Sequence, residues 1–172
     1  MTWGRGLAAT LPLLVLPACD DSGLVATPGP LVEASQWAAW EGEDPMPEHR
    51  PARVSCPPAG WSVEGTSLEV DTGKCNYLTV EQPLLLDLPA GTPVTVNLWH
   101  QALHADDPGT GHAALFVGDE LVWEQQVIIP GPGSLWVGEV VPAADHPAGE
   151  PVIFHLHNHG ANTWNLGDVQ AM

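Results

Sequence analysis

From about residue 61 to the C-terminus, short apolar runs alternate with turn residues, and no stretch sustains a 3.6-residue period. The runs at 68–70, 77–80, 84–88, 94–100, 112–117, 121–129, 134–141, 152–157 and 164–169 read as strands. Between them stand Pro-Ala-Gly-Thr-Pro at 89–93, Asp-Asp-Pro-Gly-Thr-Gly at 106–111, Gly118-Asp119, Pro-Gly-Pro-Gly at 130–133 and Pro-Ala-Gly-Glu-Pro at 147–151. Gly118-Asp119 suits a type II′ hairpin, because glycine takes positive φ at the first central position without steric cost. Many short strands with Gly/Pro turns predict an all-β fold: an antiparallel β-sandwich of jelly-roll type. Two runs declare their faces through the two-residue period of a strand. In 94–100, Val94, Val96, Leu98 and His100 share one side, with Thr95, Asn97 and Trp99 on the other. In 152–157, Val152, Phe154 and Leu156 form the expected core side, so His155 and His157 project together from the opposite side.

Before this region the pattern is different. Residues 20–55 carry Pro28, Pro30, Pro45, Pro47 and Pro51, which break regular elements, together with Glu41, Glu43, Asp44 and Glu48. Such a segment has too little apolar surface to offset its ordering entropy and reads as an acidic, flexible tether. Its one apolar patch is 34–40, where Trp37 and Trp40 would share one side of a helical turn and dock on the domain.

The first residues have the parts of an export signal. Arg5 precedes an apolar stretch from Gly6 to Pro17. That stretch is too short to cross a hydrocarbon core of about 30 Å as a helix. It ends in Leu16-Pro17-Ala18-Cys19, which resembles the lipobox of bacterial lipoproteins. The resemblance implies cleavage before Cys19, a diacylglyceryl thioether on Cys19, and an exported protein anchored to the bacterial cell envelope by lipid. The expected organisation is a signal peptide at 1–18, the lipidated cysteine and tether at 19–55, and a β-sandwich domain at 56–172. Cys56 and Cys75 are then the remaining cysteines, and in an oxidising compartment they are expected to pair.

Charge narrows the partners. The chain has 4 basic and 21 acidic residues, a net charge of −17 with neutral histidines. Without residues 1–18 the basic set is Arg50, Arg53 and Lys74, and the net charge is 3 − 21 = −18. Such a surface repels phosphate backbones, so nucleic acid is excluded as a partner, and cations are favoured.

Histidines are the main candidates for chemistry. Of the 8 in the chain, seven follow residue 99, among them His100, His104, His112, His155, His157 and His159. Spacing of i, i+2 puts the His155 and His157 imidazoles on one strand face, suited to two ligands of one metal ion. His100 ends one predicted strand and His112 begins the next, so either is a candidate third ligand for zinc or copper. His104 and His159 are candidate ligand-binding residues beside them. The string His155-Leu-His157-Asn-His159-Gly160 is similar to the His-x-His copper ligands of peptidylglycine-type copper monooxygenases, which also use jelly-roll sandwiches. That similarity implies a copper site on His155 and His157; the adjacent His-His pair of that family's second site has no counterpart here. Trp99, Trp123, Trp136 and Trp164 lie in predicted strands. Exposed indoles on a sandwich stack on sugar rings, as in carbohydrate-binding modules, which makes Trp99 and Trp164 candidates for a glycan; buried indoles fill a core. No Gly-x-Ser-x-Gly, His-Glu-x-x-His, phosphate loop or dinucleotide fingerprint occurs. The sequence therefore reads as an anchored binding or interaction module that holds a small molecule, a metal or a glycan. Its rivals are a copper- or zinc-dependent enzyme using the same histidines and a carbohydrate-binding sandwich using tryptophans.

Overall fold

A computed structural model of the protein describes residues 23–172. The expected signal peptide and the expected lipidation site at Cys19 lie outside the described residues. Eleven strands follow in order: β1 Gly29–Pro30, β2 Ala38–Ala39, β3 Trp61–Glu64, β4 Ser67–Asp71, β5 Tyr77–Pro83, β6 Val94–His100, β7 Gly109–Val117, β8 Glu120–Ile129, β9 Ser134–Val140, β10 Pro151–His157 and β11 Thr163–Ala171. One sheet runs β3-β4-β11-β6-β9, with β1 added to β11; the other runs β2-β5-β10-β7-β8. Every named pairing is antiparallel. The eight strands β4 to β11 divide into β4-β11-β6-β9 and β5-β10-β7-β8, the strand order of a jelly roll, so the expected fold class holds.

The core is the inner face of both sheets. Leu68, Val70, Val96, Leu98, Trp164 and Leu166 come from one sheet; Leu78, Val80, Leu115, Phe154, Leu156 and Ile129 come from the other, and all are at most 5% exposed. Alternation in β6 is as expected: Val94, Val96, Leu98 and His100 are buried and Trp99 faces solvent. Gly118 has φ +55°, and among the described residues no non-glycine residue has positive φ, which matches a type II′ turn between β7 and β8. The Cys56–Cys75 disulfide is formed. It ties the chain before β3 to the turn before β5, closing a loop with a separation of 19 residues.

Two expectations need correction. Residues 84–88 form no strand. Leu84 and Leu88 are buried, but Leu84 N–H donates to the Glu150 carbonyl, Leu85 N–H to the Leu31 carbonyl, and Leu88 pairs alone with His146. The run crosses the end of the sandwich, where no single neighbour runs alongside it. The second correction concerns the tether. From Gly29 onward the chain lies on the sandwich rather than away from it. β1 extends one sheet and β2 extends the other, and Leu31, Val32, Trp37 and Met46 are all buried. The patch at 34–40 docks through Trp37 alone, its ring 6.4 Å from that of Phe154; the 3-10 turn covers only Ala34–Gln36, and Trp40, beyond β2, bonds the Glu43 carbonyl instead of sharing a helical side with Trp37. Residues 40–51 then cross the outer face of the second sheet as a strap.

Candidate functional site: a histidine cleft under the strap

Ladder register builds the site. On the outer face of the second sheet, His157 of β10 stands between Tyr77 of β5 and His112 of β7, and His112 stands opposite Gln126 of β8. The next row is Thr79, His155, Ala114 and Glu124. His155 and His157 therefore share the face expected of them, but the strap covers it. His155 is 0% exposed and His157 9%.

The strap is pinned by polar contacts. The Tyr77 hydroxyl lies 2.7 and 2.8 Å from the two Asp44 carboxylate oxygens and 3.0 Å from the Met46 carbonyl oxygen. Arg50 bonds the same carboxylate at 2.9 Å. Burial raises the Asp44 pKa, but hydrogen bonds from Tyr77, the Met46 N–H and Arg50 outweigh it and leave the carboxyl below its ordinary value. Burial and the neighbouring Asp44 push the Tyr77 hydroxyl up. Beyond Met46, the single 3-10 turn Pro47–His49 delivers His49 onto the cluster.

Four imidazoles then meet at one end of the face. The His49 ring centroid is 4.5 Å from that of His112 and 6.1 Å from that of His157, and His159 is 4.4 Å from His157. Gly109 makes room for this approach, since a Cβ there would stand 3.1 Å from the His159 Cβ. These rings line an open cleft of about 840 Å³ between the strap and the loop before β7, rimmed by Glu48, Asp106 and Asp107.

Protonation follows from the contacts. His112 Nε2 is 2.9 Å from Glu124 Oε2, and its Nδ1 is 2.7 Å from His49 Nδ1. A carboxylate only accepts, so His112 carries its proton on Nε2 and presents the Nδ1 lone pair to His49. Desolvation lowers the His112 pKa despite the Glu124 bond. It also takes His157 to about 4, helped by the nearby His159, His49 and His112, and takes His155 to about 3. At neutral pH these rings are uncharged and hold free lone pairs. The Nε2 atoms of His155 and His157 are buried without a hydrogen-bond partner.

The other expected site residues divide. His155 belongs to the wall rather than the cleft: its Nδ1 is 3.0 Å from Thr79 Oγ1 and the Tyr77 ring stands edge-on at 4.7 Å. His100 sits in the core face of the first sheet, with its ring 4.6 Å from Trp164 and its Nδ1 bonded to the Gln101 carbonyl at 2.8 Å. A whole sheet separates it from His157, and packed sheets lie about 10 Å apart, so it cannot join the cluster. His104 is exposed and pairs with Ala161, beside His159 but across a separate groove. Trp164 is 0% exposed in the core, with no ligand-facing surface, whereas Trp99 is 37% exposed on the far side of the sandwich. Sequence reasoning missed His49, Glu124 and Tyr77. His49 lies in the proline-rich segment read as a tether, and nothing in its local pattern reports that it packs against residues about sixty positions later. Among the described residues, no group of three or more His, Cys, Asp or Glu side chains stands in metal-holding geometry.

No family model matches the chain, and no curated protein matches it. Among solved structures, the K2 cleaved adhesin domain of Lys-gingipain (Kgp) gives a TM-score of 0.42 at 15% identity, over 63% of this chain and 73% of that one. A CBM4 structure gives 0.40 at 17% identity, over 81% and 89%. TmCBM61 in complex with beta-1,4-galactotriose gives 0.35 at 16% identity, over 69% and 79%. At these scores the similarities add nothing to the reading of any residue.

Proposed function

We propose that the described domain is a binding module whose ligand site is the histidine cleft, and that the cleft takes a transition-metal ion of the zinc or copper(II) type through His49, His112 and His157. The observation that carries this reading is the Glu124–His112–His49 chain. A carboxylate that takes the N–H of one imidazole nitrogen and aims the other nitrogen's lone pair is the outer partner that metal-ligating histidines use. Two nitrogens on a tetrahedral ion at about 2.1 Å lie roughly 3.4 Å apart. The His49 and His112 Nδ1 atoms are 2.7 Å apart and need to open by about 0.7 Å to share an ion. His49 sits on a one-turn helix with its side chain 27% exposed, so that movement falls on the strap and leaves the sheet in place. The acidic rim and the net charge of −17 favour a cation. Export and anchoring through Cys19 belong to the same proposal.

The test is metal analysis and calorimetric titration with Zn2+ and Cu2+ on protein carrying no histidine tag. Binding near one equivalent is expected, with at least a tenfold loss in His112→Ala and in His49→Ala and little change in His100→Ala. Wild-type affinity in the His49→Ala and His112→Ala variants would refute the site.

A further inference from the structure

The outward face of the first sheet, on the opposite side of the sandwich from the histidine cleft, carries a second surface with its own chemistry. Register sets Ser62, Glu69, Asn165, Trp99 and Leu135 side by side on β3, β4, β11, β6 and β9. They point outward because their sequence neighbours Leu68, Val70, Trp164, Leu166 and Leu98 fill the core. Asn97 and Val137 form the next row, followed by Thr95 and Glu139. With about 4.8 Å between strands, the first row is roughly 19 Å long.

One end of this face is apolar and the other is polar. Trp99 is 37% exposed, Val137 59% and Leu135 65%. Beside Trp99, Asn165 is 1% exposed, and neither its amide nitrogen nor its amide oxygen has a partner. A buried amide with both ends unpaired is rare in native proteins and calls for an explanation, and a ligand that bonds it is one. Asn165 is flanked in register by Trp99 and Glu69. The Glu64 carboxyl beside Glu69, together with burial, raises the Glu69 pKa. No cation stands in the row. Lys74, whose charge reaches Glu69, is tied to Asp71 at 2.6 Å.

A ligand for such a face needs an apolar side to lie on an indole, many hydroxyls for amides and carboxyls, and no negative charge. We propose that this face is a platform for a neutral glycan chain: a sugar ring stacks on Trp99, and Asn97, Asn165 and Glu69 bond its hydroxyls. Indole faces suit the C–H side of a sugar ring, while the amide groups supply donor and acceptor together. The platform uses none of the cleft's residues, so neither site depends on the other.

Affinity electrophoresis of the whole protein tests it, with soluble glucan, galactan, mannan and xylan in the gel and polygalacturonate as the anionic control. Retardation by at least one neutral glycan is expected, with none by polygalacturonate. Trp99→Ala should weaken it at least tenfold, Asn97→Ala should weaken it measurably, and Trp99→Phe should keep part of it. His49→Ala and His112→Ala should leave it unchanged, which separates this platform from the metal cleft. Circular dichroism reports whether each variant is folded. The proposal fails if none of the four neutral glycans retards the protein, if Trp99→Ala binds as wild type, or if polygalacturonate binds equally well. It fails too if sedimentation shows a dimer that Trp99→Ala dissolves, since the face would then belong to a second copy of the chain.

Discussion

Single side chains decide what the cleft can do. Glu124 touches no ligand in our reading; it sets the tautomer of His112. Glu124→Ala should therefore lower Zn2+ or Cu2+ affinity about 10- to 100-fold while the thermal midpoint hardly moves. Unchanged affinity would leave His112 without its positioning residue. His155 makes a different prediction. Its folded pKa of about 3 lies below the ordinary value of 6.5, because burial penalises the charged ring. The unfolded chain therefore binds the proton first as the pH falls. Stability present above pH 6.5 is lost on the way down towards pH 3, by about 1.4 kcal/mol per pH unit for one proton. His157, depressed to about 4, adds to the same loss over much of that range. Urea unfolding between pH 7 and 4.5 measures the slope, and His155→Gln should reduce it by about one proton. An unaltered slope would show that His155 is solvated in the native state.

At the level of elements, the strap is the part that local pattern hides. β6 and β10 were legible because one face of each strand is core, so Val94, Val96 and Leu98, or Val152, Phe154 and Leu156, alternate strictly. β10 already signals more: every residue from Val152 to His157 is buried, which requires cover on both faces. The sequence shows that run but not what covers it, because residues 40–51 are held there by long-range polar contacts and carry no period of their own. β3 was missed for a related reason. Trp61–Glu64 is an edge strand with mostly exposed side chains, and only its pairing with β4 makes it a strand. Residues 84–88 erred the other way, since an apolar run at the end of a sandwich buries side chains without a ladder. Tyr77→Phe tests the strap directly. It removes the hydroxyl that holds Asp44 and should cost about 1–2 kcal/mol. Faster amide hydrogen exchange confined to residues 40–51 is the expected signature, and uniform protection would mean that the strap is held elsewhere.

Across the whole molecule, the sandwich is tied at both ends by groups outside the cleft. At one end the Cys56–Cys75 bond closes its loop; Cys56→Ser with Cys75→Ser should cost roughly 3 kcal/mol, read from urea midpoints under oxidising conditions. At the other, His146 is 3% exposed and both its ring nitrogens lie 3.0 Å from carboxylates, Glu150 at Nδ1 and Glu120 at Nε2. Glu120 also accepts the N–H groups of Ala143 and Ala144, so one histidine joins the start of β8, the loop after β9 and the start of β10. For the proposed anchor, Cys19→Ala should move the protein from the detergent phase to the soluble export fraction or leave it uncut. The pairing of β1 changes what that anchor would allow. A free segment from 19 to 55 would be a leash of 36 residue steps, up to about 120 Å. Because Gly29 is already paired with Ala171, only 29 − 19 = 10 steps remain, a reach of about 35 Å at full extension. With that anchor the domain would be held within roughly its own width of the bilayer surface, and its ligands would be met there rather than across the depth of the envelope.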